Sequence, residues 1–213
     1  KKKKVLLIQN KALELSLFLS LPASVALLIA SEQIISALFG YGQFDQISVY
    51  NSAKALYFFS LGLPAFAMIK VFSNFFFANH DTKTPFYISL LSVLLNIMIS
   101  VYYFNLIGFI IIPIATTVSS WFNVCVLFIF LKKERLFSFN NIFILRFFKI
   151  TLSTILMGIF FNYLILVFDD QLAFNYIFKF FYLILSVFLG LCFYLITSLW
   201  IKAFQLKDIK LRY

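Results

Sequence analysis

Lys70 lies inside an otherwise apolar run, where a charge is expensive enough to mark a pathway or a site by default. In a water-filled cavity its ammonium could attract an anion such as a phosphate. It could also snorkel: about eight residues separate it from the next polar break, roughly 12 Å at 1.5 Å per residue, which a flexible lysine can just reach. Gly62 and Pro64 precede it in the same run. Proline removes a backbone donor and kinks a helix, as in the broken helices of transporters and in many ordinary membrane bundles. The polar break itself reads Asp81, Thr82, Lys83, Thr84, Pro85. Asp81 suits the cap of a following helix and Pro85 its first turn, which makes the loop a candidate hinge, with Lys83 as a second candidate for meeting an anion.

Other polar residues point to less. His80 beside Asp81 imitates an acid and base pair, but the chain holds 1 His, no second carboxylate nearby, no glycine-rich phosphate loop and no metal-ligand spacing. Neither catalysis nor a cofactor or metal is expected. Asn96 and Ser100 punctuate one apolar run, and Thr116, Thr117, Ser119, Ser120 and Asn123 punctuate the next. Such residues either pack helix against helix or wall a polar cavity. Cys125 and Cys192 both sit in apolar runs, which excludes a disulfide scaffold and a thiolate zinc site.

The elements that must position these residues follow from composition. Of 213 residues 63% are apolar, 21% aromatic and 12% charged, a balance no soluble domain shows. The fold class expected is an all-α polytopic transmembrane helix bundle. A bilayer core of about 30 Å needs about 20 apolar residues as a helix, and about six runs qualify. They are Leu13 to Phe39, Ala55 to Ala78, Phe86 to Phe104, Phe109 to Leu131, Ile150 to Phe168 and Phe180 to Ile201. The first holds a span ending near Ala30 and a short interfacial stretch through Phe39. Pro22 and Pro113 are further kink candidates. Short connections without Pro, Ser or Gly linkers imply a single domain.

The net charge of +10 is distributed by loop rather than by patch, which argues against nucleic acid. Lys1 to Lys4, Lys11, Lys83, Lys132, Lys133, Arg135, Arg146, Lys149, Lys202, Lys207, Lys210 and Arg212 fall on one side, which is 15 of the 18 Lys and Arg residues. Lys54 and Lys179 fall on the other with Asp45, Asp169 and Asp170. By the positive-inside rule both ends of the chain are cytoplasmic. The N-terminal run imitates a signal peptide, but Lys11 and Glu14 interrupt it and further spans follow.

The stretch from Gly62 to Pro85, GLPAFAMIKVFSNFFFANHDTKTP, resembles a landmark of the MurJ (MviN) family of lipid II flippases. There a helix with a Lys-Val step runs into a Phe-Tyr-Ala-Arg-like end, an Asp-Thr-Lys-Thr-Pro loop and the next span. Lys70 and Val71, then Phe76, Phe77 and Ala78, then Asp81 to Pro85 match in order, while Asn79 and His80 depart from the usual pair. Leu21, Pro22 and Ala23, the exit Leu38 to Phe44, and Asn96, Ala115, Thr116, Ser119, Trp121 and Asn123 look similar too. The resemblance is strong through about Lys133 and weaker beyond.

The resemblance implies a fourteen-helix transporter of the multidrug, oligosaccharidyl-lipid and polysaccharide exporter superfamily. Residues 1–133 would be the last four helices of its C-terminal lobe and 134–213 two additional helices, with the N-terminal lobe outside this chain. The absence of an initiator Met agrees with a fragment. The implied activity is flipping of lipid II, an undecaprenyl-pyrophosphate-linked disaccharide peptide, from the cytoplasmic to the periplasmic leaflet of the bacterial inner membrane by alternating access. Lipid II and membrane lipids are the partners expected, with the oligomeric state open. Lys70 and Lys83 would meet substrate, Gly62, Pro64, Asp81, Thr82, Thr84 and Pro85 would form a gate or hinge, and Asn96, Thr116, Ser120 and Asn123 a cavity wall. Two other classes stay open: an exporter of another lipid-linked oligosaccharide or small molecule, and a membrane scaffold without transport.

Overall fold

In hydrocarbon every backbone donor must find its acceptor within the segment, and the apolar runs solve this as long helices. The computed structural model describes residues 2–203, with side chains from Lys4. Among them the order is α1 (Lys2–Ile29), α2 (Ser31–Phe39), α3 (Gln46–Phe77), α4 (Lys83–Ile107), a 3-10 turn (Gly108–Ile110), α5 (Ile111–Lys133), α6 (Asn141–Val167), α7 (Asp169–Leu172) and α8 (Lys179–Trp200), with no strand. Lys1, Lys207, Lys210 and Arg212 of the basic set lie outside the described residues.

Among the described residues five continuous stretches are long and apolar enough to cross a bilayer. One of them, Lys83–Lys133, has 51 residues. At 1.5 Å per residue that is about 77 Å, more than twice the hydrocarbon core. Gly108, at φ 73°, breaks it into α4 and α5, which pack against each other. The chain is thus all-α and a multi-pass membrane protein. Large apolar side chains along α4, among them Val93, Ile97, Met98 and Val101, are exposed, as a lipid-facing surface requires.

The helices outrun the apolar runs that reveal them. α3 begins at Gln46 rather than near Ala55, because Asp45 accepts a hydrogen bond from the Ser48 amide at 2.9 Å and starts the helix in the polar segment. α6 begins at Asn141, so Arg146 and Lys149 ride on its first turns rather than in a loop. Hydropathy marks where hydrocarbon begins; hydrogen bonding begins earlier. The break expected near Ala30 lies between α1 and α2. Pro113 is not a kink: it occupies the first turn of α5, where a missing N–H costs no intrahelical bond.

The backbone divides into two compact units. Of the described residues, one comprises those up to 20 and 58–143, the other 21–57 and those from 144 on. In the first, Phe72, buried to 1% exposure, lies 6.1 Å from the Phe75 and Phe128 rings and 5.9 Å from Phe137. Buried Asn10 of α1 clamps the segment before α6: its Nδ2 donates to the Ser138 carbonyl at 2.9 Å, and its Oδ1 accepts from the Asn140 amide at 3.2 Å. In the second unit Ala30, Ala37, Phe161, Ile165, Leu172 and Leu183 form one apolar cluster, and Ile35, Val49 and Ala53 another.

Candidate functional site

Pro64 has no N–H for the Ser60 carbonyl one turn back, so the ladder of α3 is interrupted there. Two side chains of α5 donate beside the gap: Thr117 Oγ1 to the Phe58 carbonyl at 2.7 Å and Trp121 Nε1 to the Leu61 carbonyl at 3.1 Å. Thr117 and Trp121 are four residues apart and share one helix face. The helices approach this closely because position 62 lacks a side chain; a Cβ on Gly62 would stand 2.9 Å from Thr117 Oγ1. Gly62 and Pro64 are both buried. Trp121 and Thr117 were not among the expected hinge residues, although their four-residue spacing was visible.

Lys70 follows farther along α3 with its side chain exposed, while Phe72 and Phe76 nearby are buried at 1% and 0%. α3 then stops in two bonds: His80 N donates to the Phe77 carbonyl at 3.0 Å and Asp81 N to the Phe76 carbonyl at 3.1 Å, with His80 at φ 61°. This is the Schellman arrangement, which needs a left-handed residue at His80. α4 starts at once. Asp81 Oδ1 accepts from the Lys83 and Thr84 amides, both at 3.0 Å, Thr82 spans between, and Pro85 is buried in the first turn. The hydrogen bonds from Thr84, with smaller help from Lys83, hold the Asp81 carboxyl below the usual carboxylate range. Lys83 is exposed. The loop is therefore fastened on both sides.

The polar residues of α4 and α5 separate into two groups. Asn96 Nδ2 donates to Thr116 Oγ1 at 3.0 Å and to Ser119 Oγ at 3.3 Å, and Ser100 Oγ donates to Asn96 Oδ1 at 3.4 Å. Ser120 instead returns its hydroxyl to the Thr116 carbonyl at 2.6 Å. Asn123 is buried, and its Oδ1 has no hydrogen-bond partner among the described residues. Among the described residues no group of His, Cys, Asp or Glu is placed to hold a metal ion.

The ordered series from Pro64 of α3 through the Asp81 loop to the Asn96 and Thr116 pair can be set against known proteins. The family model described as Lipid II flippase MurJ matches residues 1–187. The chain belongs to the lipid II flippase MurJ family. Among curated MurJ proteins, the probable lipid II flippase of Rickettsia prowazekii is 35% identical over 127 residues, covering 60% of this chain and 25% of that protein. That of Rhizobium meliloti is 40% identical over 121 residues, 57% of this chain and 23% of that protein. That of Thermotoga maritima is 37% identical over 143 residues, 67% of this chain and 28% of that protein. A solved structure, lipid II flippase MurJ in an inward closed conformation, superposes with a TM-score of 0.75 at 26% identity, covering 93% of this chain and 39% of that one. The chain thus spans about a quarter of the length of the curated MurJ relatives it matches.

One residue of this MurJ family chain stands apart from those the sequence singled out. Lys179, counted above only as one of two basic residues on the acidic side, is fully buried. Its rarity on that side was the available signal.

Proposed function

We propose that the protein flips lipid II from the cytoplasmic to the periplasmic leaflet of the bacterial inner membrane by alternating access. In this reading residues 1–133 supply the last four helices of the C-terminal lobe, residues 134–213 two further helices, and the ends of the chain are cytoplasmic. A pyrophosphate headgroup cannot cross hydrocarbon unaided, and a cation facing a wet cavity lowers that barrier. The observation that carries the reading is the joint in α3: an interrupted ladder at Pro64 followed, on the same helix, by exposed Lys70. A bend at the joint redirects the segment that bears the charge.

Lys70 meets the pyrophosphate, with Lys83 at the mouth, because lysine offers a mobile point charge that attracts and releases where the arginine fork would clamp. Asn96, Thr116, Ser120 and Asn123 line the polar path. The test is Lys70→Gln in the intact protein, reconstituted in liposomes. Lipid II affinity and flipping rate should both fall about tenfold, the effect of losing one charge-assisted contact of about 1.4 kcal/mol. Unchanged affinity and rate in a well-expressed variant would leave Lys70 as an interfacial anchor and remove the proposed contact.

A further inference from the structure

Lys179 is the most deeply buried charged side chain among the described residues, at 1% exposure. Its place opposes its own helix, since the first residue of α8 stands at the positive end of that dipole, where a cation is disfavoured. What holds it is the far end of α2. The ammonium donates to the Gly40 carbonyl at 2.8 Å and to the Phe174 carbonyl at 2.7 Å. Gly40 closes α2, and carbonyls at a helix C-terminus lack intrahelical donors and attract cations.

The seat is built from several directions. Rings flank the ammonium at 4.4 Å (Tyr41) and 4.7 Å (Phe174) from their centroids. The Tyr41 hydroxyl donates to the Ala37 carbonyl at 2.9 Å, which fixes that ring against α2. At Gly40 a Cβ would stand 2.6 Å from the Ser36 carbonyl oxygen and 3.0 Å from the Phe174 ring, so only glycine lets Phe174 close the seat. A buried ammonium is costly unless its water shell is replaced; two carbonyls and two ring faces replace it here without a carboxylate.

Phe174 also borders a cavity of about 360 Å³ whose wall includes Glu32, Gln46, Asp169 and Asp170. The carboxylates offer a second seat for a cation, in a cavity that shares Phe174 with the first. We propose that Lys179 is a reversible latch. Seated between Gly40, Tyr41 and Phe174, its ammonium ties the α7 to α8 connection to the end of α2; released, it passes to water and to Glu32, Asp169 and Asp170. Both seats suit a cation, so the exchange strands no charge, whereas an apolar plug at this position would have to be wetted in order to open. Latched, α2 and the start of α8 move as one piece.

Two measurements on the intact membrane protein test this independently of what it transports. The first follows the rate at which a water-soluble amine-reactive ester modifies Lys179, read by mass spectrometry. Lys179 should react at least about tenfold more slowly than Lys54, because reaction waits on local opening. Tyr41→Leu, which removes one ring face, should raise the Lys179 rate about fivefold. The second places spin labels at Leu38→Cys and Ile177→Cys after Cys125 and Cys192 are replaced by Ser. The distance distribution should be narrow with Lys179 present and gain a longer population in Lys179→Met. Lys179 reacting as fast as Lys54, a Tyr41→Leu rate equal to that of the parent, or an unchanged distribution in Lys179→Met would each overturn the latch. The ester arm stands even where Lys179→Met does not fold.

Discussion

At the scale of single residues, the corner between α3 and α4 shows two neighbours acting in opposite directions. His80 holds a left-handed conformation, φ 61°, that costs a residue with a Cβ roughly 1 kcal/mol. Arg135 and Lys202 carry the same conformation at φ 54° and 56° just past α5 and α8, each closing its helix with the same pair of bonds. Arg135 and Lys202 are basic, which suits the negative end of a helix dipole. His80→Gly is expected to raise stability by about 1 kcal/mol, since glycine adopts this conformation without strain. Chemical denaturation in detergent should show the gain; a loss would mean that the imidazole makes a compensating bond. Asp81→Ala should cost about 1 kcal/mol through the lost cap. Because the Asp81 carboxyl is held below its ordinary value, the cap persists at all pH values above about 4. It is lost as pH falls through the lowered folded value. The difference between wild type and Asp81→Ala should therefore be constant from neutral pH down to about 4 and shrink in stronger acid. A difference that already fades near pH 6 would assign the cap to another group.

At the scale of elements, α3 depends on α5 for part of its backbone bonding. Thr117 and Trp121 donate to carbonyls flanking the Pro64 gap, and Gly62 provides the room. Gly62→Ala would set a methyl 2.9 Å from Thr117 Oγ1. Such overpacking costs about 1 to 3 kcal/mol. Thr117→Ala removes the obstructing hydroxyl, so the double variant Gly62→Ala with Thr117→Ala should lose less than the sum of the two single changes. Additive losses in a thermal-shift cycle would show that Gly62 and Thr117 do not press on each other. Carbonyls on either side of the Pro64 gap that are served by a neighbouring helix would not be left bare in hydrocarbon if α3 bent there, as the proposed function requires.

For the whole molecule, the charge asymmetry between loops carries the topology. In the proposed topology the Asp81 loop, Arg135 and Lys202 lie on one side, Asp45 and Asp169 on the other. After Cys125 and Cys192 are replaced, single cysteines at Lys83 should be shielded from an impermeant thiol reagent in intact cells, and cysteines at Asp45 or Asp169 should react. Labelling of position 83 from outside would invert the proposed arrangement and remove the proposed contact of Lys70 with a substrate arriving from the cytoplasmic side.

Membrane class, all-helical fold and the chain's main breaks were legible in the sequence, because each rests on local physics. Apolar length gave the spans, the end of the first span near Ala30 gave the break after α1, the interval between the runs ending at Phe104 and starting at Phe109 gave the break between α4 and α5, and Asp81 with Pro85 gave the start of α4. Local composition could not place Pro113 in a first turn or start α6 at Asn141, since helical hydrogen bonding extends past the hydrocarbon edge that hydropathy detects. Nor could it show that Thr117 and Trp121 serve α3, that Asn10 clamps Ser138 and Asn140, or that Lys179 is seated at the end of α2. Those pairings depend on which helix faces meet. A helix as apolar all round as α4 carries almost no periodic stripe to declare its inward face. Lipid and protein interior look alike to such a sequence, so only the tertiary packing decides which polar group finds which partner.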